Sequence, residues 1–140
     1  MIVTFIGHRD APLEIYRSLY ETILSLIENE GAQTFFIGDC GAFDRMAYKA
    51  LRELKRIYTN IDYRVVLAYM PRGGDSDKGK DNTIFPFELA TAPARYAIDR
   101  RNRWMIEQSD TVIAYVKRSY GGAAIFKKRA ISKGKRVIDL

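Results

Sequence analysis

A chain of 140 residues has the size of one folding unit, and about two thirds of its unfolded surface can be buried, so a core forms without disulfide or metal staples. Apolar residues at 47% and charged residues at 29% exclude a disordered or fibrous polymer, and no apolar run reaches the length of a membrane helix. The 23 Lys and Arg against 17 Asp and Glu give a net charge of +6, interspersed rather than gathered in a tail, which suits a small phosphate-bearing ligand as well as a nucleic acid.

Met1 leads straight into "IVTFIG", with no basic n-region and no cleavage-like site, so a cytoplasmic protein is expected, with no membrane contact. The single cysteine, Cys40, forms no internal disulfide, which agrees with a reducing compartment. With only one cysteine and one histidine there is no C-x-x-C or H-x-x-x-H spacing, and no metal is expected.

Strand-like and helix-like segments alternate along the chain. "IVTFIG" reads as a buried strand closed by Gly7. In "PLEIYRSLYETILSLIENEG" the period changes, and Tyr16, Leu19, Tyr20, Ile23, Leu26 and Ile27 fall on one helical face that Gly31 ends. "QTFFIG" is a second strand. "AFDRMAYKALRELKRIY" is a second helix, with Phe43, Met46, Ala47, Ala50, Leu51 and Leu54 on its apolar stripe. "YRVVLAYM" is a third strand, and residues 71–92 read as a long polar, Gly-rich connection. A helix over "ARYAIDRRNRWMIEQ", a strand "TVIAYV", a helix "GAAIFKKRAISKG" and a strand "RVIDL" complete the order.

The alternation predicts an α/β chain, one domain over residues 1–140: a three-layer Rossmann-like fold with a mostly parallel five-stranded sheet. In the spatial order 3-2-1-4-5, ligands bind beyond the carboxyl ends of the strands, where the order reverses. Three strand exits carry glycine there: "GHR" (Gly7, His8, Arg9), "GDCGAFD" (Gly38, Asp39, Cys40, Gly41, Ala42, Phe43, Asp44) and "KRSYGG" (Lys117 to Gly122, with Ser119 between). The helices starting at Ala42 and Gly122 would aim free N–H groups and a positive dipole end at an anion.

The segments "GHR", "GDCGAFDRMA", "RRNRWMIEQSD" and "YGGAA", in this order on these elements, resemble the SLOG superfamily, which includes DprA-type DNA-processing proteins, LOG-type phosphoribohydrolases and small YpsA-like proteins. The resemblance implies a Rossmann-like domain that binds a nucleotide or a derivative of one. By position it assigns Gly7, His8 and Arg9 to the first ligand loop, Gly38 to Asp44 to the second, Arg100, Arg103 and Asp110 to the segment before the fourth strand, and Gly121 and Gly122 to the phosphate turn. The LOG motif P-G-G-x-G-T-x-x-E would place its catalytic glutamate at Lys128, with Tyr120 for the proline and Ala124 and Ile125 for Gly-Thr, so that hydrolytic mechanism is incomplete in this chain.

Each candidate has a structural alternative. Gly38 and Gly41 also serve as turn residues, Asp44 also caps a helix, and His8 also bonds within its own loop. Cys40 sits beside a helix amino end, a setting that suits a nucleophilic thiol, but a lone cysteine also serves as a small packing residue. Arg100 and Arg103 lie one helical turn apart near the crevice, although Asp99 and Glu107 flank Arg103 at four-residue spacing, as in a solvated ion-paired helix. The stretch "GDSDKGKD" at 74–81 nearly spells a P-loop but has Asp81 at the Ser/Thr position, and as a calcium loop it has Lys80 at the turn glycine.

The resulting expectation is a nucleotide-binding sensor or regulatory module with no further cofactor, compatible with a homo-oligomer. The alternatives are an N-glycosidase resembling the phosphoribohydrolases, with Asp44 or Asp110 replacing the missing acid, and DprA-like single-stranded nucleic-acid binding.

Overall fold

In the computed structural model of the chain, residues 1–70 and 82–140 are described; the stretch "GDSDKGKD" at 74–81 lies outside them. Among the described residues six strands form one sheet: β1 (Ile2–Gly7), β2 (Thr34–Ile37), β3 (Asp62–Val66), β4 (Thr83–Ile84), β5 (Thr111–Tyr115) and β6 (Arg136–Asp139). Four α-helices among the described residues accompany them: α1 (Tyr16–Glu30), α2 (Ala42–Ile57), α3 (Ala97–Gln108) and α4 (Gly122–Ser132). The sheet order is β4-β3-β2-β1-β5-β6, with every pair parallel.

The five anticipated strands occur in the anticipated order, and the sheet gains one strand. The correction is β4, which pairs Thr83 and Ile84 with Val65 and Val66 at the edge. A two-residue strand has no alternation to read, and this one follows the polar stretch.

Periodicity explains the rest. β1 is buried on both faces, as a central parallel strand must be. Val3 and Phe5 face one layer with Phe35 and Ile37, under Leu19 and Ile23 of α1 and Met46, Leu51 and Leu54 of α2. Ile6 turns the other way with Val112, beneath Ile106 of α3 and Phe126 and Ala130 of α4. The buried Thr4 hydroxyl donates to the Phe36 carbonyl at 2.8 Å, so the apolar interior carries no unpaired polar group there. Gly31 ends α1 in the left-handed region at φ 70°, with its N–H on the Leu26 carbonyl. These layers leave β1 and β5 side by side where the order reverses, with their carboxyl ends opening into one crevice.

Candidate functional site

The crevice has a volume of about 440 Å³. Gly7, His8, Arg9 and Asp10 form one wall, and Cys40 and Asp44 enter from the second loop. Ile98, Arg101, Asn102 and Met105 of α3 form the opposite wall, and Arg118 and Tyr120 to Ala123 close it.

The first and third loops are tied across the switch point. The Lys117 backbone N–H donates to His8 Nε2 at 2.9 Å, which fixes the imidazole as a neutral ring with its proton on Nδ1. Burial holds the His8 pKa below its usual 6.5; Arg118 adds to that, and Asp10 opposes it. Arg118 Nη2 donates to both Asp10 oxygens, at 2.7 and 2.5 Å, and the hydrogen bond keeps that carboxyl below the usual range. Arg9 stays exposed on the crevice wall.

The glycines divide by cause. A Cβ on Gly7 would lie 2.2 Å from Phe43 Cγ, so packing alone demands glycine there. On Gly41, at φ +94°, it would lie 2.5 Å from the Arg9 Cα. On Gly38 it would strike the Asp44 carboxylate at 2.6 Å. Gly121 opens α4 at φ 89°. Gly122 is different: its φ is not in the left-handed region and nothing lies within 4 Å of an added Cβ.

The two helix starts differ at their first N–H group. At α2 the Ala42 N–H is taken by the Arg9 carbonyl at 2.8 Å. The Asp44 carboxylate folds back onto the Cys40 N–H at 3.0 Å, so the chain supplies that helix with its own anion. At α4 no protein group among the described residues accepts the N–H groups of Gly122, Ala123 or Ala124.

Behind the second loop lies a group that sequence reasoning missed. The Arg101 side chain is only 1% exposed. It donates from Nη1 to Asp39 Oδ1 at 2.6 Å and to the Val66 carbonyl at 3.1 Å, and from Nε to Asn102 Oδ1 at 2.8 Å. Burial penalises its charge, but the hydrogen bonds to Asp39 and Cys40 and the fields of Asp39 and Asp44 outweigh it and leave the guanidinium more basic than usual. Asp44 is partly buried, and desolvation pushes its pKa up to about 6; the Cys40 N–H and Arg101 work against the rise and Asp39 adds to it.

The remaining expected residues lie elsewhere. Phe43 is buried between Phe5 and Tyr115, with ring centroids 6.5 and 6.3 Å away, and packs the core rather than a ligand. Arg100 is exposed, and Arg103 pairs with Asp99 at 2.8 Å on the outer side of α3, so the α3 arginine that faces the crevice is Arg101. The spacing Ile98, Arg101, Asn102, Met105 marks that face and is the signal that finds it. Ser119 is exposed and outside the crevice wall. Asp110 accepts the Ile2 N–H at 2.8 Å, at the amino ends of β1 and β5, a strand length of roughly 16 Å from the crevice. Lys128 is exposed on α4 and does not reach the crevice either.

No protein-family model and no curated protein matches the sequence. Solved structures that share the fold include the following two. DNA processing protein A (DprA) from Streptococcus pneumoniae aligns with a TM-score of 0.66 and 16% identity over 98% of this chain and 49% of that one, so the chain spans about half the length of DprA. The molybdenum cofactor carrier protein from Chlamydomonas reinhardtii aligns with a TM-score of 0.63 and 15% identity over 99% of this chain and 75% of that one. The chain therefore has the Rossmann-like fold that these two proteins share.

Proposed function

We propose that this protein binds a nucleotide or a nucleotide-derived ligand in the crevice, with the phosphate on the amino end of α4, and acts as a sensor or regulatory module. Gly122 carries the reading. Neither packing nor backbone conformation asks for glycine there, so its bare backbone is best explained by a group that must approach the α4 N–H donors. Arg9 and Arg118 on the rim supply charge for an anion, while Ile98, Met105 and Phe126 supply an apolar slot for a ring. One structural neighbour is named a cofactor carrier and the other a DNA processing protein, and a ligand-holding use of this fold agrees with the proposal. Native mass spectrometry of the purified protein, followed by calorimetric titration with nucleoside mono-, di- and triphosphates, tests it. A stoichiometric phosphate-bearing adduct or micromolar binding is expected, and absence of both overturns the reading.

Asp44 favours a second reading, an N-glycosidase. A carboxyl with a pKa of about 6 beside a ligand crevice is partly protonated near neutrality and suits general acid–base work. It would protonate the departing base as the C1′–N bond breaks, while water adds its hydroxyl to C1′ and its remaining proton returns to the Asp44 carboxylate. Free base and ribose phosphate released from a nucleotide panel support this reading; binding without release removes it.

A third reading, nucleic-acid binding, draws on the exposed cations Arg45, Lys49, Arg52 and Arg56, which recur every turn along α2. Retention of a single-stranded oligonucleotide that weakens steeply as salt rises is its signature.

A further inference from the structure

The α3 wall carries a polar group whose orientation is fixed from behind, and this bears on which base the crevice takes. Asn102 lies on the crevice face of α3, between the apolar side chains Ile98 and Met105. Its Oδ1 accepts from Arg101 Nε at 2.8 Å. Rotating the amide by half a turn would set its NH₂ against the guanidinium N–H, donor to donor, so the orientation is held. The Nδ2 donors have no partner among the described residues, and they are what Asn102 offers the crevice.

A free asparagine reads adenine with oxygen and nitrogen together, accepting from the amino group while donating to the ring. Here the oxygen is already taken by Arg101. A ring edge carrying an amino group keeps at most the bond to its ring nitrogen and sets its own N–H against the amide donors, whereas an oxo group accepts from them.

Resting on the nucleotide reading above, we propose that Asn102 is a specificity residue and that the crevice selects oxo-bearing bases, 6-oxopurines and 4-oxopyrimidines, over their 6-amino and 4-amino counterparts. Arg101 is the positioning residue that sets the sense of this selection.

The test compares the binding of IMP with AMP and of UMP with CMP by calorimetry, in the full chain and in Asn102→Asp. The wild type should prefer the oxo member of each pair by about tenfold, toward the low end for a lost or mismatched base contact. The carboxylate of the variant keeps one oxygen for Arg101 but presents an acceptor to the crevice, so the preference should vanish or invert. A purely structural Asn102 would weaken all four nucleotides alike and leave the ratios unmoved, which overturns the proposal. Asn102→Ser, which withdraws the amide donors without adding charge, should bring both ratios toward one, and it serves where N102D unfolds. Binding with equal affinity for both members overturns this inference alone; no binding of any of the four overturns it together with the nucleotide reading.

Discussion

The Asp44 carboxylate lies over the backbone N–H of Cys40 at 3.0 Å, one turn before its own position, and Gly38 is the residue that leaves room for it. Burial lifts its pKa from 3.8 to about 6 despite Arg101 nearby. A carboxyl raised in the folded state is most stabilising when neutral, so its contribution is complete below pH 3.8 and is lost as pH rises to about 6. Discounted for its partly open edge, the ionised group costs about 2 kcal/mol at pH 8. Asp44→Asn should therefore be more stable than the wild type by about that amount in urea titrations at pH 8, with the gap closing near pH 4. A less stable variant at pH 8 would mean that Arg101 holds the carboxylate by more than burial costs.

His8 has the opposite slope. Its folded pKa lies below 6.5, so its contribution is intact above pH 6.5 and is lost as pH falls through the folded value, when the protonated ring can no longer accept from Lys117. The two groups oppose each other between about pH 4 and pH 6.5. His8→Gln should unmask the Asp44 slope, with stability rising toward acid; Asp44→Asn should unmask the His8 slope, with stability falling. Parallel pH profiles for the two variants would sink this account.

How far the sequence could be read follows from the same residues. Central strands such as "IVTFIG" and the α2 stripe declare themselves because burial on both faces, or on one face at helical spacing, leaves a period in the letters. The strand-exit glycines located the crevice, but Gly7 and Gly41 owe their identity to Phe43 and to the Arg9 backbone, contacts made only after folding. Arg101 was hidden for a related reason. It occupies a buried position on α3, where an apolar residue is the default, so a search for exposed cations settles on Arg100 and Arg103 instead. The paired Asp39, Val66 and Asn102 groups, with Cys40 and the field of Asp44, offset the cost of that burial.

Replacing that guanidinium tests how much it holds. Arg101→Met fits the volume but leaves the Val66 carbonyl and the Asp39 carboxylate without their donor, and should cost about 2–4 kcal/mol in chemical denaturation, Asp39 being half-exposed and able to turn to water. Arg101→Lys should recover less than half, since an ammonium cannot serve Asp39, Val66 and Asn102 from one plane. Full recovery by lysine would reduce Arg101 to a point charge.

Asp10 and Arg118 form an exposed pair at the crevice mouth, and a phosphate on α4 would compete with Asp10 for the same guanidinium. Arg118→Ala should weaken binding of a nucleoside monophosphate about tenfold, and Asp10→Asn should strengthen it about threefold, on the scale of a surface ion pair. In the Arg118→Ala background, Asp10→Asn should change little. An undiminished gain in the double variant would show that Asp10 acts by general repulsion and not through Arg118.

Gly122→Ala separates folding from binding. The position has helical backbone and open space around the missing Cβ, so alanine fits without displacing anything. Losing the freedom of glycine in the unfolded chain should raise stability by about 0.4–1 kcal/mol. The same methyl group stands over the α4 N–H donors and should push a phosphate away from hydrogen-bond distance, weakening nucleotide binding about tenfold or more. A variant that melts no lower than the wild type yet binds far more weakly is the expected result. A variant that binds as well as the wild type would remove the observation on which phosphate binding at α4 rests, whatever its melting temperature.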